Sequence, residues 1–182
     1  ERLRGEQVEG QRDFCVSAPT GSGKTLAYVL PIVERLQSRI VGRLRALVVV
    51  PTRDLIPQVE DTFKRVCEAY SCGEKLKCGL DYVVTTPGKL MDILPTLNLA
   101  ALNFLVVDEA DRLLDQSFQE WLPQLLDKLK LSKSSEEKND DQFDTLAWNS
   151  DPESRIQKLL FSATLTTNPA KIAPLNLHRP VY

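Results

Sequence analysis

The string Ala18-Pro-Thr-Gly-Ser-Gly-Lys-Thr25 follows one apolar run, and Asp108-Glu-Ala-Asp111 follows another further along the chain. In the first string, which Ala18 opens, Thr20, Gly21, Ser22 and Gly23 let backbone N–H groups approach phosphate oxygens. Lys24 brings a point charge to the β- and γ-phosphates, and Thr25 offers a hydroxyl to Mg²⁺. In the second, Asp108 has the charge to hold that ion and Glu109 the charge to act as a base on water. The two strings together imply a site for a nucleoside triphosphate with magnesium. A competing reading of Asp-Glu-x-Asp is a solvated helix start, because acids favour the first helical turn. Directly after Phe104-Leu-Val-Val107 and alongside a phosphate loop, that reading becomes minor.

Such residues need strand ends to hold them. Phe14 to Ala18 reads as a buried strand, and Lys24 to about Ser38 as a helix whose buried face carries Leu26, Ala27, Leu30, Val33 and Leu36. Pro31 inside that helix removes a backbone donor and is expected to bend it. Ala46-Leu-Val-Val-Val50 has the β-branched, uncharged character of a parallel strand covered on both sides. A helix capped by Thr52 should follow, with Leu55, Val59, Phe63 and Val66 as its stripe. Tyr82 to Thr85 and Phe104 to Val107 read as further strands. Between them, Pro87-Gly88 turns into a short helix containing Leu90, Ile93 and Leu94. Leu113, Leu114, Phe118, Trp121, Leu122, Leu125 and Leu129 predict helical packing after the acidic string. Serines, lysines and acids from Ser132 to Asp144 break the pattern, and a mobile insert is expected over 131–155. Leu159-Leu-Phe161 resumes a strand that delivers Ser162-Ala-Thr164. Alternating strands and helices predict an α/β fold with a mostly parallel central sheet and helices on both faces. Strand-end loops then converge on one edge, where the two strings can meet.

A chain of 182 residues, 42% hydrophobic and 26% charged, fits one such domain and is too short for two. The formal charge of −2 excludes a global basic field, so any nucleic-acid contact must rest on a local strip of donors. Cys15, Cys67, Cys72 and Cys78 lack paired spacing and have only His178 as an imidazole partner, which argues against zinc. They read as reduced thiols of a cytosolic or nuclear protein. No apolar stretch is long enough to span a membrane.

The motifs also occur in a family order. With the phosphate loop and Asp108-Glu-Ala-Asp111 stand Pro51-Thr-Arg-Asp-Leu55, Thr86-Pro-Gly-Lys89 and Ser162-Ala-Thr164, and by these the chain resembles the DEAD-box family of ATP-dependent RNA helicases. The resemblance runs from about Phe14 to the C-terminus. It implies the first RecA-like domain of a P-loop NTPase over residues 1–182, with ATP and Mg²⁺ as cofactors. It assigns catalysis to Lys24, Asp108 and Glu109, and the metal to Thr25 and Asp108. Sequence-blind contact with the sugar-phosphate backbone of RNA falls to Pro51, Thr52, Arg53, Thr86, Pro87, Gly88 and Lys89. Coupling of hydrolysis to strand separation falls to Asp111, Ser162, Ala163 and Thr164, through hydrogen bonds to Asp111. Without the resemblance, Thr52 and Thr86 are equally helix caps and Pro87-Gly88 a turn.

Three departures from the family pattern stand out. Lys89 replaces the usual Arg, keeping the charge and losing the bidentate fork. Tyr70 to Leu80 is shorter than the family's strand and Gly-Gly loop, so either an RNA contact is lost or residues are missing from this numbering, the second being preferred. Neither Gln7 nor Gln11 has the spacing of the family's adenine-reading glutamine, so adenine specificity rests on resemblance alone. The second RecA-like domain, which would act in cis and supply arginine fingers, is expected to be absent from this chain. The run from Ala110 to Trp121 resembles nucleolar members that assemble the large ribosomal subunit, which implies pre-ribosomal partners and a nucleolar location, the cytoplasm being the alternative. Two other functions stay open: a non-catalytic ATP- or RNA-binding scaffold, and a DNA-directed motor of the same superfamily.

Overall fold

The computed structural model of the chain describes residues 12–37, 42–70, 76, 80–115, 121–134, 156–164 and 173–182. Strands β1 (Phe14–Ser17), β2 (Ala46–Val49), β3 (Tyr82–Thr85), β4 (Phe104–Val107) and β5 (Gln157–Ser162) form one sheet in the order β1-β5-β4-β2-β3. Every pairing in it is parallel. Helices α1 (Lys24–Gln37) and α2 (Leu55–Ala69) alternate with the first strands, and α3 (Pro87–Ile93), α4 (Ala110–Asp115) and α5 (Trp121–Ser134) come later.

Strand alternation divides the core into two layers. Ala46, Val48 and Val50 join Val106, Phe161 and the buried faces of α1 and α2 on one side of the sheet. Leu47, Val49, Leu105, Val107 and Leu160 meet Leu90, Leu113, Trp121 and Leu125 on the other. The α/β reading with helices on both faces is therefore what the chain builds. Among the described residues, no helix is long and apolar enough to cross a membrane.

Five local expectations need correction. First, β1 is an edge strand, with Phe14 37% exposed and Cys15 buried. Its outer edge is covered by the C-terminal segment, where the Cys15 N–H donates to Val181 O at 2.8 Å and the Val181 N–H to Asp13 O at 2.9 Å. Buried Asp13 fixes that segment further, accepting at 2.7 Å from the His178 N–H and at 2.8 Å from the Lys158 N–H.

Second, the buried face of α1 is Tyr28, Val29, Ile32, Val33 and Leu36, while Leu26 is 45% exposed and Ala27 also faces outward. Spacing alone admitted both stripes, and the stripe containing Tyr28 wins because its ring fills the space against β5. Pro31 lies on the exposed face within a continuous helix, so the carbonyl of Ala27 that it leaves without a partner is open to water.

Third and fourth, neither Thr52 nor Thr86 caps with its side chain. Asp54 takes the N-cap position of α2, because Thr52 and Arg53 form a turn whose carbonyls accept from the N–H groups of Leu55 and Ile56. Thr86 does precede α3, and its backbone carbonyl accepts from the Leu90 N–H at 2.8 Å, but its side chain makes no cap bond. Pro87, at the first helical position, needs no partner for a missing N–H. Fifth, α5 runs on to Ser134, into the stretch expected to be an insert, with the Ser132 hydroxyl bonded back to Lys128 O at 2.9 Å. The rest of that stretch, Phe118, Gln7 and Gln11, and most of the interval from Tyr70 to Leu80 lie outside the described residues.

At the edge opposite the strand ends, Arg45 and Asp81 precede β2 and β3 and form a buried ion pair at 2.8 Å. The Arg45 guanidinium also donates to Leu36 O at 2.9 Å, joining the end of α1 to the sheet.

Candidate active site

Between β1 and α1 the chain turns through Ala18 to Gly23. Gly21 at φ 81° and Gly23 at φ 88° occupy the left-handed region, which a side chain enters only with strain. A β-carbon at either position would meet open space, so it is conformation rather than crowding that demands these glycines. Thr20, Gly21, Ser22 and Gly23 are exposed there. Lys24, the first residue of α1, donates across the loop to Ala18 O at 2.6 Å, and the Ala18 N–H donates to Ser162 O at 3.0 Å. The phosphate loop is thus tied to the end of β5.

Asp108 follows β4 on the same edge and is 7% exposed. Its Oδ1 accepts from the Glu109 N–H at 2.9 Å, and its Oδ2 from the Tyr28 hydroxyl at 2.9 Å. Burial holds its carboxyl above the usual carboxylate range, against the pull of the Tyr28 and Glu109 hydrogen bonds and the Lys24 charge. Burial, and then the charge of Asp108, likewise push the Tyr28 phenol up, while the nearby Thr25 side chain pulls it down. Tyr28 therefore ties α1, the helix that carries Thr25, to Asp108.

The donor set fits a hard divalent cation. One hydroxyl and one desolvated carboxylate oxygen suit Mg²⁺, which is commonly held by few protein oxygens and completed by phosphate and water. Glu109 sits at φ 50°, a left-handed conformation uncommon outside glycine, which turns the chain sharply from β4 into α4. Its Oε2 is buried without a hydrogen bond, the Arg112 guanidinium standing 3.0 Å away outside hydrogen-bonding geometry.

The end of β5 lies between these two parts of the edge. Thr164 Oγ1 donates to Asp111 Oδ2 at 3.0 Å, and the Ser162 hydroxyl donates to Thr164 O at 2.9 Å. Ala163 is exposed beside them. Serine and threonine thus form a compact turn in which Thr164 reaches the acidic string.

The remaining assigned residues follow β2 and β3 on the other half of the edge. Thr52, Arg53, Gly88 and Lys89 are exposed, Pro51 is half-buried, and Thr86 and Pro87 are buried. The exposed four are open to solvent, and the buried pair sets the start of α3. The Val50 N–H donates to Thr85 O at 2.9 Å, which keeps the two segments side by side.

Sequence reasoning missed Tyr28. The signal was available, since an aromatic residue three positions after Thr25 shares its helical face.

The family model for the DEAD/DEAH box helicase matches residues 5–172. An ATP-dependent RNA helicase, dbp6, of Schizosaccharomyces pombe is 43% identical over an alignment covering 92% of this chain and 33% of that protein. The human ATP-dependent RNA helicase DDX51 is 41% identical, with 92% and 30% covered. The chain spans about a third of the length of these relatives. The Schizosaccharomyces alignment runs over 203 positions, more than the 182 of this chain, so that relative carries residues this chain lacks. Among solved structures, the yeast DEAD-box splicing factor Prp28 superposes with a TM-score of 0.72 at 29% identity, covering 94% of this chain and 41% of that one. Mss116p bound to ssRNA and AMP-PNP gives 0.71 at 28% identity, covering 92% and 34%. With the family match extending over all but the ends of the chain and the phosphate loop, acidic string and Ser-Ala-Thr turn gathered on one sheet edge, the chain belongs to the DEAD/DEAH box helicase family.

Proposed function

We propose that the chain is the first RecA-like, ATP-binding domain of an ATP-dependent RNA helicase. One observation carries this reading. Lys24, Asp108, Glu109 and the Asp111–Thr164 bond sit together at the carboxyl ends of β1, β4 and β5, close enough for the Lys24 charge to act on Asp108.

In this reading, the amides from Thr20 to Gly23 receive phosphate oxygens, and Lys24 exchanges its Ala18 carbonyl for them. Thr25 and Asp108 would hold Mg²⁺, which when bound would neutralise charge on the phosphates. Glu109 orients a water and takes its proton at Oε2. Thr164 and Ser162 connect Asp111 to the end of β5, so a change at the phosphates reaches the loop that precedes the C-terminal segment. Arg53 and Lys89 supply cations, and Thr52 and Gly88 uncharged contacts, for the backbone of single-stranded RNA.

The support is of two kinds. The two relatives are named ATP-dependent RNA helicases, and Mss116p was solved with both ssRNA and a nucleotide. Lys24 and Glu109 are both present, which speaks against a non-catalytic scaffold. A second RecA-like domain in cis would complete the enzyme, adding arginine fingers worth about 10³ to 10⁵ in rate. The Ala110–Trp121 run extends the proposal to ribosome assembly in the nucleolus, with pre-ribosomal proteins as partners.

The test is phosphate release by the full-length protein, with and without RNA, beside Glu109→Gln. The expected result is RNA-stimulated release that falls about 10²- to 10⁴-fold in the variant. Equal rates would remove Glu109 as the base.

A further inference from the structure

Tyr28 is fully buried on α1, and its ring packs against Phe161 of β5 with centroids 5.1 Å apart and planes tilted by 56°. Packing alone would be served as well by phenylalanine. The hydroxyl does something else, because it reaches from α1 to the carboxylate that follows β4. It donates to Asp108 Oδ2 at 2.9 Å.

Donor counting fixes the direction of this bond. An ionised carboxylate can only accept, so the single phenolic proton goes to Asp108. Asp108 Oδ1 is already oriented by the Glu109 N–H. The carboxylate is thus held at both oxygens, one by α1 and one by the turn into α4.

We propose that Tyr28 is a positioning residue for the cation site, its phenol fixing the Asp108 carboxylate in the orientation that one divalent ion requires. The inference rests on the proposed roles of Thr25 and Asp108. It adds a residue whose hydroxyl acts on the metal without touching it, as outer partners of metal ligands commonly do.

The experiment compares the chain with Tyr28→Phe, which keeps the ring and removes only the hydroxyl. ADP affinity is measured with Mg²⁺ and in a chelator, and the electron paramagnetic resonance spectrum of Mn²⁺ is recorded with ADP. In the unmodified chain, Mg²⁺ tightens ADP binding; no tightening there would overturn the nucleotide reading itself. In Tyr28→Phe, affinity in chelator stays the same, the tightening by Mg²⁺ shrinks about tenfold, and the Mn²⁺ spectrum changes. An equal loss with and without the ion would show a packing role. That result, or an unchanged Mg²⁺ effect, overturns the proposal.

Discussion

Thr164 Oγ1 donates a 3.0 Å hydrogen bond to Asp111 Oδ2, joining the end of β5 to the first turn of α4. Partial burial pushes the Asp111 carboxyl up, but the Thr164 hydrogen bond, the nearby Ser162 hydroxyl and backbone amides outweigh it and leave the group below its usual range. A depressed carboxyl stabilises the fold above its unfolded pKa, and that contribution is lost as pH falls through the folded value.

Replacing Thr164 by Val therefore lowers stability at neutral pH by about 0.5 kcal/mol, a small effect because water reaches both side chains. The loss vanishes in acid. Thermal unfolding from neutral pH down through the carboxylate range shows two curves converging; parallel curves would mean that the bond does not hold Asp111 ionised.

Asp108 behaves in the opposite sense. Burial raises its pKa, so the native state favours the proton and the charged form costs stability once pH exceeds the unfolded value. Asp108→Asn should raise the melting temperature at neutral pH by about 2–4 °C, the scale of ~1 kcal/mol in a domain of this size. It should also abolish the tightening of nucleotide binding by Mg²⁺. Calorimetry and a Mg²⁺ titration read the two effects separately.

Arg45 and Asp81 give a purely structural prediction. Asp81→Ala leaves the Arg45 charge buried and should cost about 3–5 kcal/mol in urea unfolding. The double change Arg45→Met with Asp81→Leu should cost far less, because it removes the orphan charge along with its partner. Nucleotide affinity should be unaffected in the double variant, since the pair lies at the edge away from the site.

Lys89 is exposed at the start of α3, where a guanidinium could grip a phosphate with two parallel bonds. Lys89→Arg should tighten binding of single-stranded RNA by the full-length protein several-fold and leave the salt dependence unchanged, because the charge is the same. Fluorescence anisotropy at two salt concentrations measures both.

Much of this architecture was legible beforehand because the signals were local. Ala46–Val49 and Phe104–Val107 are unbroken apolar runs, and only a strand covered on both faces uses four such residues in succession. The phosphate loop and acidic string declared themselves by type and spacing. What escaped was set by tertiary packing. Leu26 and Tyr28 both fit a 3.6-residue period, and only the position of β5 decides which faces inward. Arg45 and Asp81 look like loop charges until the register Ala46 opposite Tyr82 brings them together. Thr52 has the chemistry of a cap, yet the turn at Arg53 moves the helix start two residues on.

The strand order also dictates when this site can come into being. Among the described strands β1 pairs only with β5, so the strand that carries the phosphate loop has no seat in the sheet until the one farthest along the chain has docked against β4. During synthesis, β2, β3 and β4 can zip together while the nucleotide loop waits unsupported. Closure of that long-range contact is the slow kind of step, and nucleotide capture becomes a report that the whole sheet has been completed.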